Sequence, residues 1–245
     1  MIQFKAMDAE IQMNILYRDQ DYVVIDKPAG LLVHRSPLDA SETVFVLQLL
    51  RKQIGQLVYP CHRLDRPTSG VLLFALNQDA LRFTQNEFAR QACAKTYRAV
   101  VRGWTEESGS INYDLRSEEE PEKVQSAFTE YRVLKQSELD ESLGRYPTAR
   151  FSYLELRPKT GRKHQLRRHL AHIRHPIIGD TRHGDGVQNR FFRKWCGSQM
   201  LMLRATELTF THCKSEERIN VTACDDSVFE AAVKKLELSP IRLLP

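Results

Sequence analysis

The sequence predicts an α+β fold: a largely antiparallel, mixed sheet flanked by helices. Three observations predict it. Runs rich in β-formers outnumber helical ones. They arrive in clusters and hairpins. The regular strand–helix alternation of a doubly wound sheet is missing. A hydrophobic fraction of 42% over 245 residues is enough for a sizeable core.

Residues 1–13 read as a short polar extension and 14–245 as a single domain. The β-rich runs 14–17 and 22–25 are joined by Arg18-Asp19-Gln20-Asp21, which predicts a hairpin. Asp26-Lys27-Pro28-Ala29-Gly30 breaks the second run and Leu31-Leu32-Val33 resumes it. Val44, Leu47, Leu50 and Ile54 recur at helical spacing over 42–54. In residues 61–70, Pro67 fixes its own φ and pushes Arg66 towards extended geometry, so the segment is a turn. After Gly70, the run Val71-Leu72-Leu73-Phe74-Ala75 predicts a buried strand. Asn77 is placed to cap a helix reaching about Gln91.

Residues 95–103 read as a strand ending in a turn. From 105 to 124 the chain is polar and acidic, a surface excursion pairing briefly near 111–113. Strand character returns at 127–134, gives way to a loop at 136–148, and resumes at 151–156 with half-buried alternation. Thr160-Gly161 opens a basic segment whose Leu166, Leu170 and Ile173 form one apolar helical face. Strands near 201–203, 207–210 and 219–222 lead to a last helix beginning near Ser227.

The N-terminus lacks an apolar leader core, and no stretch approaches a membrane span, so no membrane partner is expected. Five scattered cysteines without CxxC pairing fit free thiols in the cytoplasm. No feature calls for an obligate protein partner, and a monomer is the default.

The formal charge is +5 and the pI about 9.0, a modest bias. Its distribution says more. Residues 157–175 contain no acid, while Arg157, Lys159, Arg162, Lys163, Arg167, Arg168 and Arg174 supply cations. Acids gather instead in Glu118-Glu119-Glu120-Pro121-Glu122. A solvated face normally mixes signs, so an unmixed basic segment predicts a polyanionic partner. His164, His169, His172 and His175 lie in or beside this segment, but there is no HExxH and no suitable cysteine, and the arginines would repel a cation. They read as solvated or phosphate-facing, and no metal is expected. P-loop, GxGxxG and GxSxG patterns are absent, so no nucleotide cofactor is expected either. Cys61 and His62 are adjacent on extended backbone and point to opposite faces, leaving Cys61 a structural role.

Asp65 is a lone carboxylate between Arg63 and Arg66 on the turn before the buried strand. Locally it reads either as a surface ion pair or as a presented reactive acid. Tyr97 lies between Lys95 and Arg98 on its strand, where nothing local separates it from an ordinary packing tyrosine.

Motif order adds what composition cannot. His62-Arg63-Leu64-Asp65 with Thr68-Ser69-Gly70 resembles the H-R-L-D-x-x-T-S-G signature of the large pseudouridine synthase family that modifies rRNA and tRNA. Three further stretches resemble the family's motifs in the same order. Asp26-Lys27-Pro28-Ala29-Gly30 is similar to N-K-P-x-G, with aspartate for asparagine, and Lys95-Thr96-Tyr97 is similar to K-x-Y. Thr160-Gly161-Arg162-Lys163-His164-Gln165-Leu166-Arg167 with His175-Pro176-Ile177-Ile178-Gly179-Asp180 is similar to T-G-R-x-H-Q-[IL]-R … H-P-[IL]-x-G-D. The likeness covers roughly residues 14–210. A second departure is Arg204, where the family has histidine in L-x-L-H-A.

The resemblance implies a pseudouridine synthase catalytic domain, here without an S4-like RNA-binding domain. It would cut the N1–C1′ bond of a uridine and rejoin the base through C5, with no cofactor. Asp65 would be the essential carboxylate, acting as nucleophile or as base towards the sugar. Arg167 would pair with Asp65, and Tyr97 would stack on the uracil and help remove the C5 proton. Arg63 would enter the RNA where the base departs, and Arg66, Arg162, Lys163, Arg168 and Arg174 would face RNA. Leu72 and the Ile177–Ile178 pair are candidates to wall the pocket. Arg66-Pro67 and Arg167-Arg168 resemble most the members acting on uridine 65 of certain tRNAs. An rRNA target, or a tRNA-binding module without activity, are the alternatives.

Overall fold

The computed structural model describes residues 11–34, 43–144, 146–224 and 226–238. The expected hairpin is present as β1 (Asn14–Arg18) and β2 (Tyr22–Lys27), paired antiparallel. Asp19 closes it, its Oδ1 accepting from the backbone N–H groups of Asp21 and Tyr22 at 2.7 and 2.6 Å. Of the expected N-terminal extension, residues 1–10 lie outside the described residues. Met13 is buried, and its backbone N–H and carbonyl bond the side chain of Gln53. Gln53 belongs to α1 (Val46–Ile54).

The central strand β4 (Ser69–Ala75) is fully buried along its length. It pairs with β2 and with the short β3 (Tyr59–Pro60). Both of its faces are covered. Leu72 and Phe74 join Val23 and Ile25 against Val46 and Leu50 of α1. Val71 and Leu73 join Tyr22 and Val24 in a second cluster that reaches Ala80 of α2 (Gln78–Ala89). A strand buried on both sides needs apolar residues at every position, which is why this run does not alternate. Asn77 caps α2, its side chain accepting from the Ala80 N–H at 2.8 Å.

The other half of the sheet is built from β5 (Ala94–Arg102), β9 (Phe128–Leu139), β10 (Ala149–Pro158) and β11 (Leu203–Thr211). With the edge strand β6 (Ser108–Asn112), the order is β1-β2-β4-β11-β5-β10-β9-β6; β12 (Arg218–Thr222) pairs with β11. Among the described ladders, β4–β11 is parallel and the rest antiparallel. A third core, with Phe151, Leu154 and Leu203, is covered by α3 (Gln165–His172), α4 (Gly186–Cys196) and α5 (Ser227–Lys235).

The structure departs from the expected elements in several places. β9 runs through residues 136–139, expected as loop, because β10 pairs with it as far as Leu139↔Ala149. β11 is one strand rather than two, with a register shift between Ala205 and Glu207. α4 was not anticipated, although Asp185 caps it and Phe191 stacks on Trp195 at helical spacing, with ring centroids 5.7 Å apart.

The parallel ladder is short, with Ser69↔Arg204 and Gly70↔Ala205, and it docks the Asp65 turn onto β11. Gly70 has φ +112°, and a Cβ there would lie 1.9 Å from the Ala205 carbonyl oxygen. Only glycine permits that approach.

Candidate active site

The Asp65 turn is held from beneath by a buried cation. Lys27 is fully buried, and its Nζ donates to the carbonyls of Pro28, Leu31 and Arg66 at 2.9, 2.8 and 3.2 Å. Burial pushes the Lys27 ammonium down to about 7, against the opposing pull of Asp65. The Gly30 N–H donates to the Arg66 carbonyl at 2.8 Å, and the Thr68 N–H donates to that of Asp65 at 3.0 Å. Two separate sequence stretches thus form one clasp. His62 completes it: its Nε2 accepts from the Leu73 N–H at 3.1 Å, and burial holds the ring neutral, down to about 3.

Asp65 faces a cavity of about 580 Å³ that Tyr97 and Arg167 also line. Arg167 donates from NH1 to Asp65 Oδ2 at 3.1 Å, across 102 residues of chain. Its Nε and NH2 bond the two oxygens of Asp180, each at 2.8 Å. Arg167 and Asp180 are 5% and 1% exposed, so this guanidinium is a buried fork with one arm left for Asp65. Burial alone would raise the Asp180 carboxyl, but the Arg167 bonds and the N–H groups of Arg182 and His183 outweigh it and hold it low. Burial, with the negative charge of Asp65 second, pushes the Tyr97 hydroxyl well above the ordinary tyrosine range. Tyr97 is therefore a neutral phenol at physiological pH.

The walls differ from expectation. Leu72, Ile177 and Ile178 are buried in the cores rather than in the pocket. Leu64, Leu166 and Leu203 are among the apolar residues that line it.

Of the expected RNA-facing residues, Arg63, Arg162, Lys163 and Arg168 line the cavity, and Arg66 and Arg174 do not. Arg66 Nε donates to the Gly30 carbonyl at 3.0 Å; Arg174 is exposed beyond α3 with φ +65°. The basic segment is also less unbalanced than its sequence suggested. Lys159 pairs with Glu130 at 2.7 Å, Arg157 with Glu155 at 2.9 Å, and Lys163 with Glu118 at 3.2 Å. Glu130 and Glu118 come from elsewhere in the chain and Glu155 lies two residues before the segment, so a count along it misses all three.

The histidines divide. His169 is fully buried, with Thr129 Oγ1 and the Tyr113 carbonyl each at 3.0 Å, which removes it from any solvated face. His172 stacks on Tyr113, ring centroids 3.6 Å apart. His164 lies at the pocket, its Nε2 3.9 Å from Asp65 Oδ2 and its Nδ1 3.0 Å from His183 Nε2. Among the described residues, two groups have the donor atoms for a metal: Glu118 with His164 and His183, and Asp19 with Asp21 and His212. Lys163 and Arg182 already neutralise Glu118, and Lys214 lies 2.8 Å from Asp21, so cations of the chain itself occupy both carboxylate sets.

The two departures from the family motifs meet in space. Arg204 donates to Asp26 at 2.6 Å, to Asp226 at 3.2 Å and to Ser69 Oγ at 3.1 Å. It ties β2, β4 and the cap of α5 beside the Asp65 turn. Arg204→His should lower stability by about 3–5 kcal/mol, because two largely buried carboxylates lose their cation. Asp26→Asn added to it should recover part of that loss, and denaturant melts of the single and double variants check both.

A family model described as RNA pseudouridylate synthase matches residues 21–172. The chain is 47% identical over 238 residues to the tRNA pseudouridine synthase C of Vibrio parahaemolyticus serotype O3:K6, covering 94% of this chain and 97% of that protein. It is 48% identical over 232 residues to the protein of that name from Vibrio cholerae serotype O1, covering 91% and 95%. Among solved structures, Human RNA Pseudouridylate Synthase Domain Containing 4 superposes with a TM-score of 0.70 at 26% identity, covering 91% of this chain and 93% of that one.

Proposed function

The chain belongs to the RNA pseudouridylate synthase family, and from that premise we propose that it isomerises a uridine of tRNA, uridine 65, to pseudouridine. Family membership makes it an isomerase. The tRNA target rests on the relatives named above, and position 65 on Arg66-Pro67 and Arg167-Arg168.

One observation carries the reading: Asp65 meets the free arm of the buried Arg167–Asp180 fork in a cavity shared with Tyr97. Whether the carboxylate attacks C1′ or removes a sugar proton, it must be ionised and aimed. A guanidinium fixed at its other two nitrogens aims it and pairs with its charge. The N1–C1′ bond breaks, the uracil turns, and C5 bonds to C1′ while the C5 proton leaves and N1 regains one. Leu64, Leu166 and Leu203 limit water around the detached base. Tyr97 is placed to stack on that base. If Asp65 forms an ester, its charge disappears, and with it one of the two causes that raise the Tyr97 hydroxyl.

In a duplex stem the target must be extruded, and Arg63 is an exposed cation at the pocket placed to follow it. Mapping pseudouridine in tRNA and rRNA from cells with and without this protein tests the target. Loss of pseudouridine at tRNA position 65 alone is the expected result. Loss confined to rRNA moves the substrate, and no change in either overturns the proposal.

A further inference from the structure

The acidic run that looked like a remote surface excursion folds over the pocket. β7 (Leu115–Arg116) and β8 (Val124–Gln125) form a small hairpin whose tip carries residues 117–123. Arg168 NH1 holds it at the base through the Arg116 carbonyl, at 2.9 Å. At the tip, Glu118 reaches side chains from two places in the chain, Lys163-His164 and Arg182. Its Oε2 is 3.2 Å from Lys163 Nζ; its Oε1 is 3.1 Å from Arg182 NH2 and 3.5 Å from His164 Nδ1. The Glu118 side chain is only 19% exposed, unlike Glu119 at 73% and Glu120 at 58%. Burial would raise its carboxyl, but Lys163, His164 and Arg182 outweigh that and keep it ionised.

Two cationic donors converging on the two oxygens of one anion, with an imidazole beside them, is the geometry of a phosphate site. Its position suits one. The imidazole of His164 spans from Glu118 to Asp65, so the Glu118 carboxylate lies about one ring away from the acid that would address the ribose. A flanking phosphate of the reacting nucleotide is separated from C1′ by one sugar ring.

We propose that Lys163, Arg182 and His164 form a subsite for the phosphodiester beside the reacting nucleotide. Glu118 holds that subsite as an internal stand-in, which RNA displaces. The inference rests on the RNA-substrate reading above and adds Arg182, His164 and Glu118 to it. Two anions cannot share these donors, so binding requires the hairpin tip to yield. The stand-in also alters the salt response. Counterions condensed on the RNA are released in proportion to the net positive charge its phosphates meet, and Glu118 subtracts one charge from this subsite.

The test measures tRNA binding by wild type, Glu118→Gln and Glu120→Gln across a series of salt concentrations. Glu120 pairs with Lys123 inside the loop at 3.4 Å, so E120Q removes the same charge without touching the subsite. E118Q should lower Kd about three- to tenfold at low salt. It should also steepen the slope of log Kd against log salt by about one, the worth of one phosphate contact. E120Q should keep the wild-type slope. Adding Lys163→Gln to E118Q should erase the gain. Binding by E118Q that is unchanged or weaker, or a change that E120Q reproduces in full, overturns the inference. Wild-type protein that leaves tRNA unmodified would instead overturn the functional reading, so the two failures are distinguishable.

Discussion

Asp65→Asn should abolish pseudouridine formation, by on the order of 10³-fold or more, while leaving tRNA affinity within about twofold. The amide keeps the shape of the carboxylate and can still accept from Arg167 NH1, but it can neither attack C1′ nor take a sugar proton. The fold should tolerate the change. Arg167 retains both bonds to Asp180, and the clasp made by Lys27 uses backbone carbonyls that the substitution does not touch. Parallel measurements of product, tRNA Kd and Tm separate this loss of chemistry from a loss of binding or folding.

Arg167→Met should cost both activity and stability. Removing the guanidinium leaves Asp180, 1% exposed, with only the N–H groups of Arg182 and His183 as partners of its side chain among the described residues. An uncompensated buried charge costs about 3–5 kcal/mol. The pH dependence follows from the sign of the shift. In the wild type the Asp180 carboxyl is held below its ordinary value, so its stabilising contribution is full above that value and is lost as pH falls through the lower one. Without Arg167, burial raises the carboxyl instead. The variant then loses stability as pH rises through the ordinary carboxylate range. The gap between wild type and variant should be widest near neutral pH and should shrink below about pH 4. Urea melts at several pH values check this. A constant gap would mean that Arg167 stabilises by packing rather than by charge.

Much of the fold was legible because local rules and tertiary structure agree at particular residues. Asn77 both looks like and is a helix cap, and Val71 to Ala75 lie in a strand covered on both faces. The misses have the opposite cause. Residues 136–139 are polar, yet they extend a strand because β10 offers them partners, which no local window contains. At the site, Asp65 was legible as a possible reactive acid but not its partner. Arg63 and Arg66 lie within two residues of it in sequence, whereas the guanidinium that meets Asp65 arrives from 102 residues away. The resemblance, not spacing, pointed to Arg167. Asp180 stood within a matched motif without a role until its fork with Arg167 was seen. Glu118 carried no signal at all, since an acidic run in a polar stretch looks the same whether it faces water or a basic pocket. Asp26 and Arg204 were each noted as departures from a pattern, and only their 2.6 Å contact joins them.

The central claim is that Asp65 performs the chemistry and the basic residues around it hold RNA. Tritium release from [5-³H]uridine-labelled tRNA tests it most directly, because the C5 proton leaves only when C5 bonds to the sugar. Wild-type protein should release tritium with turnover, and Asp65→Asn should release none while binding the same tRNA equally well. Appreciable release by Asp65→Asn would contradict the account.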